Sequence, residues 1–235
     1  MNYFVAGRQK DQNDHILLTE TQSKTTKEAY RALRSNILNL QQKDGLKVLM
    51  ITSAVAGEGK TTTAINLAIS LKQAGQKVIL VDGNFRSGVV AERLKLIKDQ
   101  KGFSDYVKDK IALDALITQA ENYENLDVIA SGINHRLTSD DLSPDLLQHF
   151  FDALQQGYNW VIVDTAPASI SDTLLMSKYV DGVLLCVRQY ASAQDEVKQT
   201  VRNLRNAGAN VIGTVMTRAD LQVEDQVKRL YIKQA

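Results

Sequence analysis

The chain has 235 residues, 44% of them apolar and 23% charged, enough to bury one sizeable core in a single α/β domain. A formal net charge of +1, with both signs mixed along the chain, gives no electrostatic footprint for nucleic acid or an anionic membrane. One cysteine, Cys186, excludes an internal disulfide framework and any cysteine-based zinc site. It lies in the apolar run 183–187 and reads as a buried structural thiol.

No signal peptide is legible, because Arg8 and Lys10 interrupt the start before an apolar stretch can form. The longest apolar runs are about five to seven residues, against the ~20 that a membrane helix needs. The expectation is a cytoplasmic protein that meets the membrane only through a partner.

Residues 1–23 are polar, rich in Gln, Asn, Asp and Thr, and read as an extended arm. Over 24–42, Ala29, Tyr30, Leu33, Ile37 and Leu40 recur at three and four, a helical period, with Thr25 or Thr26 as its cap and Glu28 in its first turn. Short β-branched runs then appear at 47–52, 77–81, 126–130, 160–163, 182–187 and 210–216. Helical stretches at 61–74, 143–155, 172–178 and 193–207 separate them. The strands are nearly all apolar rather than alternating, as burial on both faces of a parallel sheet requires. The pattern predicts an α/β fold: a doubly wound, mostly parallel sheet flanked by helices. Gly75, Gly157 and Gly208 fall where helices end, and Pro144 and Pro167 stand at a helix start and just beyond a strand. One domain over 24–220 and a short tail over 221–235 complete the organisation, with no internal repeat.

The run 48–52 leads into Ser53-Ala54-Val55-Ala56-Gly57-Glu58-Gly59-Lys60-Thr61-Thr62, a phosphate-binding loop between a strand and a helix. Gly57 and Gly59 let the backbone curl so that its N–H groups face phosphate oxygens, and the helix adds its positive end. Ala56, Gly57, Glu58, Gly59, Lys60, Thr61 and Thr62 are the expected nucleotide contacts. Lys60 would reach the β- and γ-phosphates and the Thr61 hydroxyl would bind Mg²⁺, so the expected cofactors are ATP and Mg²⁺. Ala54 replaces the glycine that usually opens the pattern.

Two carboxylates end strands: Asp82 after 78–81 and Asp164 after 160–163. A single such Asp starts a turn as readily as it serves a site. Two of them at the carboxyl edge of a parallel sheet, flanking a P-loop, point to chemistry. Lys60, Asp82 and Asp164 are therefore the candidate catalytic residues, and Thr61, Asp82 and Asp164 the candidate metal ligands.

With these motifs in place the chain resembles the bacterial tyrosine kinases of capsule and exopolysaccharide systems. That family carries a P-loop, an Asp-x-Asp-x-Arg motif and a hydrophobic run ending in Asp, here 54–61, Asp82-Gly83-Asn84-Phe85-Arg86 and 160–164. It also carries a Glu-x-x-Arg-x-x-Arg segment on the preceding helix, matched by Glu28, Arg31 and Arg34. The resemblance implies a P-loop NTPase fold, a nucleotide contact from Arg86 and self-association through Glu28, Arg31 and Arg34. It further implies a membrane adaptor of the polysaccharide co-polymerase type, which recruits the chain to the inner face of the membrane. The implied activity is ATP-dependent protein-tyrosine autophosphorylation regulating polysaccharide synthesis.

Departures from the family keep other readings open. Asn84 replaces the second Asp of its motif, and an amide cannot take a proton from a phenol. The tail holds one tyrosine, Tyr231, where the family has a cluster, so Tyr231 is either a phosphoacceptor or an ordinary surface aromatic. Thr217 stands where an adenine-binding Asn is usual. The three histidines, His15, His135 and His149, share no ligand spacing. An ATP-binding switch with weak or no transfer is one alternative. A partitioning-type ATPase is another, although Val55 replaces the lysine those relatives carry.

Overall fold

A computed structural model describes residues 17–18, 23–96, 100–132 and 137–219 in full and residues 2–7 as backbone. Tyr231 and the tail 221–235, most of the arm 1–23, His15 and His135 lie outside the described residues.

Among the described residues eight strands form one sheet: β1 (Asn2–Gly7), β2 (Val48–Ser53), β3 (Val78–Asp82), β4 (Ile117–Ala120), β5 (Leu126–Ile129), β6 (Trp160–Asp164), β7 (Gly182–Arg188) and β8 (Val211–Ala219). Their order across the sheet is β1-β8-β7-β2-β6-β3-β5-β4. Every pairing is parallel except that of β4 with β5. β2 lies between β6 and β7, so the loop leaving its carboxyl end sits over the middle of the sheet.

The central strands divide their side chains between two cores. Leu49, Ile51, Val78, Leu80, Trp160 and Ile162 face one, with Tyr30, Leu33, Ile37, Ile65 and Ile69 from two helices. Val48, Met50, Ile79, Val81, Val161 and Val163 face the other, with Phe103, Phe150, Phe151, Leu154 and Leu204. Both faces are covered, which is why the strands read as continuous apolar runs. The first layer is α1 (Lys24–Asp44) and α2 (Lys60–Gln73); the second includes α5 (Pro144–Gly157) and α7 (Gln194–Asn206).

Several local expectations need correction. Ser23, not Thr25 or Thr26, caps α1 by accepting from the N–H of Thr26, and Glu28 consequently falls beyond the first turn. Gly157 is the last residue of α5 rather than its cap, whereas Gly75 and Gly208 take the left-handed conformation that closes a helix. Two edge strands were not legible. β1 pairs in parallel with β8, and β4 has only one of its four residues buried. Edge strands have no second neighbour to demand an apolar run, so their sequence signal is weak. Between β3 and β4 lie α3 (Val89–Arg93) and α4 (Phe103–Asp109); α6 (Ser171–Met176) follows β6.

Helix α1 carries the segment expected to join subunits, and Tyr30, Leu33 and Ile37 fix it against α2. Leu33 is fully enclosed, so Leu33→Ala should lower the unfolding free energy by about 2–5 kcal/mol in urea titrations, with the midpoint shifted and the slope unchanged.

Candidate active site

The chain turns from β2 into α2 through residues 54–59. Gly57 and Gly59 have φ of 79° and 85°, a left-handed geometry that side chains resist. Gly59 has a second constraint: a Cβ there would lie 3.3 Å from Thr217 Cγ2. Helix α2 has no side chain capping its amino end, so its first N–H groups remain directed at the loop. Lys60 and Thr61 open the helix, and both are buried. Burial holds the Lys60 ammonium below its usual range, while the charge of Asp164 draws it back up.

Sheet register brings the two carboxylates together. Asp82 pairs with Asp164 across β3 and β6, and Ile51 of β2 pairs with Asp164 on the other side. Both carboxylates are fully buried. Their environments differ. Asp82 accepts the N–H of Asn84 and the N–H of Val90, both at 3.1 Å, so each oxygen helps shape the turn into α3. Neither oxygen of Asp164 meets a partner in full hydrogen-bond geometry, and the Thr61 hydroxyl and Thr165 N–H lie near enough only to lower it somewhat. Burial raises both carboxyls, and for Asp82 the charge of Asp164 adds to it. Thr61, Lys60 and Arg93 pull Asp164 partly back. An orphaned, buried carboxylate beside a threonine hydroxyl at a helix amino end fits a hard cation with oxygen ligands. Among the described residues no group of three or more His, Cys, Asp or Glu is clustered.

The remaining predicted residues take other places. Arg86 pairs with buried Asp172 at 3.4 Å and is itself half exposed. Asn84 donates its amide to Ser87 Oγ at 2.6 Å. Thr217 donates to the backbone carbonyl of Glu58 at 2.8 Å and so supports the loop from β8. On α1, Glu28 and Arg31 form an exposed ion pair at 2.5 Å, whereas Arg34 turns inward to the carbonyl of Ser70 at 2.8 Å. Cys186 is buried, and burial pushes its thiol up to about 12, which makes it inert. His149 sits on the exposed face of α5 with Nδ1 against the Asp145 carbonyl.

Two residues gain roles that the sequence did not signal. Glu58 is buried; it accepts the N–H of Val55 at 3.0 Å and the hydroxyl of Ser192 from the turn after β7. Arg93 on α3 donates to Thr62 Oγ1 at 2.7 Å, placing a guanidinium at the start of α2. A variable position inside a P-loop and an arginine on an unforeseen helix carry no pattern of their own.

An AAA domain family matches residues 46–214. The tyrosine-protein kinase CpsD of Streptococcus pneumoniae is 30% identical over 202 residues, 86% of this chain and 88% of that protein. The chain belongs to the bacterial tyrosine-protein kinases. A putative tyrosine-protein kinase in the cps region of Klebsiella pneumoniae is also 30% identical over 202 residues, but the kinase described here spans only 28% of that protein's length. The kinase domain of Escherichia coli ETK matches with a TM-score of 0.82 at 26% identity, over 94% of this chain and 92% of that one. The septum site-determining protein of Pyrococcus horikoshii, complexed with Mg-ADP, shares the fold at 21% identity and a TM-score of 0.62, over 72% of this chain and 69% of that one. The kinase branch thus matches over more of the chain than this septum-site relative does. No helix among the described residues is long and apolar enough to cross a membrane.

The unpartnered charge at Asp164 has a measurable cost. A carboxyl whose pKa is raised by folding stabilises the fold fully only while protonated, and that contribution fades as pH climbs through the raised pKa. Asp164→Asn should therefore make the nucleotide-free kinase more stable than wild type, by on the order of 1–3 kcal/mol at about pH 8 and much less at about pH 5. Thermal melts at the two pH values measure it; an equal or reversed difference would show that Asp164 has partners in the free protein.

Proposed function

We propose that this kinase transfers the γ-phosphoryl group of Mg·ATP to tyrosine, on copies of itself first, in the control of capsular or exopolysaccharide synthesis. The observation that carries the reading is the unpartnered Asp164 carboxylate, set beside Thr61 and Lys60 where the P-loop meets α2. The Mg-ADP of the Pyrococcus relative supports the choice of nucleotide and ion.

The loop amides from Ala56 to Thr62 and the amino end of α2 would hold the phosphates, with Lys60 against the β- and γ-oxygens. Thr61 and Asp164 would hold Mg²⁺, which when bound neutralises charge on the phosphates. Asp82 stands in register with Asp164; burial and the charge of Asp164 raise its carboxyl, and it would serve as the base for the phenolic proton only once ionised. Each of its oxygens already accepts one backbone N–H, from Asn84 and from Val90, so the proton would go to a remaining lone pair. Arg86 would join the phosphates only on leaving Asp172. Asn84 supplies no charge to either role. That lends weight to a second reading, an ATP-dependent switch with slow transfer.

The partners follow from the exposed side of α1 and the implied adaptor. A membrane adaptor of the co-polymerase type would bring the kinase to the inner face of the membrane, and Glu28 and Arg31 offer an exchangeable ion pair to a second copy. Arg34 would contribute by bracing α1 on α2. Tyr231 is a further acceptor on this reading.

Two experiments test these points. In single-turnover phosphotyrosine formation, Asn84→Asp should raise the rate, up to roughly 10²-fold, while Lys60→Met should abolish it and weaken ATP about tenfold or more by calorimetry. Phosphotyrosine absent from every form while ATP still binds would favour the switch. In light scattering, Glu28→Ala with Arg31→Ala should yield a smaller species than wild type with Mg·ATP; identical masses would make that ion pair a solvated surface feature.

A further inference from the structure

Among the tyrosines whose side chains are described, five are placed by packing. Tyr30 and Tyr123 are buried, and burial pushes the Tyr30 phenol up to about 12. Tyr106 and Tyr179 pack against the second core. Tyr158 donates its hydroxyl to Asp127 at 3.0 Å, and burial together with that carboxylate holds its phenol well above the usual range. Each of these five rings is held at least partly in a core or by a hydrogen bond. Tyr190 does the opposite: 89% of it is exposed, and it is the exposed large hydrophobic residue of the described chain.

Its backbone is equally particular. Tyr190 has φ of 60°, a left-handed conformation that costs an ordinary side chain on the order of 1–3 kcal/mol. The turn around it enforces that geometry. The N–H groups of Ala191 and Ser192 donate to the Arg188 carbonyl at 3.2 and 3.1 Å, and Gln189 donates to Thr217 at 3.1 Å. Ser192 Oγ accepts the Arg188 N–H at 2.9 Å and bonds the carboxylate of Glu58. A glycine or asparagine would fit the apex with less strain. An aromatic ring there covers no core, so folding gives no reason for it.

The position of the turn gives one. Glu58, between the two left-handed glycines of the P-loop, ties the turn to the nucleotide loop of the same chain. We propose that Tyr190 is a phosphoacceptor, modified by a second copy of the kinase, on a turn whose shape is coupled through Ser192 and Glu58 to its own P-loop. This rests on the kinase reading above. In the step, the bond between the γ-phosphorus and the ADP oxygen breaks and a bond from that phosphorus to Tyr190 Oη forms. The phenolic proton passes to solvent, leaving ADP and phosphotyrosine. Because the ring stands on the surface, it is accessible to a neighbour's site rather than enclosed in its own.

The sequence makes the test direct. Trypsin cuts after Arg188 and Lys198, and the peptide Gln189 to Lys198 has Tyr190 as its only tyrosine. Tagged Lys60→Met chain, unable to act on itself, is mixed with wild type and Mg·ATP, and this peptide is read by fragmentation mass spectrometry beside phosphorylation of a Glu-Tyr copolymer. The expected result is phosphate on Tyr190 of the Lys60→Met chain, lost when wild type is omitted. Tyr190→Phe should phosphorylate the copolymer at the wild-type rate while incorporating less phosphate itself. Copolymer phosphorylation with an unmodified peptide, or with phosphate on Ser192, would overturn the assignment and leave the kinase reading intact. Phosphate confined to the wild-type chain would overturn transfer between copies. An unmodified copolymer would remove the kinase reading and this inference with it.

Discussion

Two buried carboxylates stand side by side where β3 and β6 end, and the rest of the site is arranged around that juxtaposition. Parallel register alone pairs Asp82 with Asp164, beneath the loop that leaves β2. Both cannot comfortably ionise in an apolar setting without a cation. The fold relieves Asp82 with two backbone N–H groups and leaves Asp164 without any. That asymmetry separates the two: Asp82 shapes the turn into α3, while the charge of Asp164 is left uncompensated by the backbone. Lys60 and Arg93 approach from α2 and α3, so the free protein already holds positive charge near the place that phosphates and Mg²⁺ would fill.

The P-loop is braced from outside as well as shaped from within. Glycine geometry at 57 and 59 permits the curl, but Glu58 anchors it, through Val55 on its own loop and Ser192 after β7, with Thr217 of β8 holding its carbonyl. Three consecutive strands of the sheet, β2, β7 and β8, therefore meet at one buried glutamate. The loop and the surface turn after β7 thus belong to one hydrogen-bond network.

Within the family, the chain keeps the frame and alters the accessories. Its match to the ETK kinase domain extends over nearly the whole chain. Asn84 donates to Ser87, Asp82 beside it is occupied by backbone N–H groups, and Arg86 is held by Asp172. The Asn84 and Arg86 side chains thus both have partners within the chain itself.

The sequence by itself determined the parallel α/β sheet and the phosphate loop, because both are written in local patterns: unbroken apolar runs that require two covered faces, and glycines with a lysine at fixed spacing between a strand and a helix. Asp82 and Asp164 were legible for the same reason, as carboxylates closing such runs. Their inequality was not, since it depends on which backbone N–H groups the turn after β3 happens to aim at one and not the other. Nor were β1 and β4, whose edge positions demand little of their residues. Glu58, Arg93, Ser192 and Thr217 converge from distant parts of the chain, and no local spacing records a contact such as that between residues 58 and 192. Likewise Arg34 reads as a surface charge like Arg31 until packing of α1 on α2 turns it inward. Spacing along the chain fixes which groups are present; only the packing of helices on the sheet decides which of them remain unpaired and therefore available for chemistry.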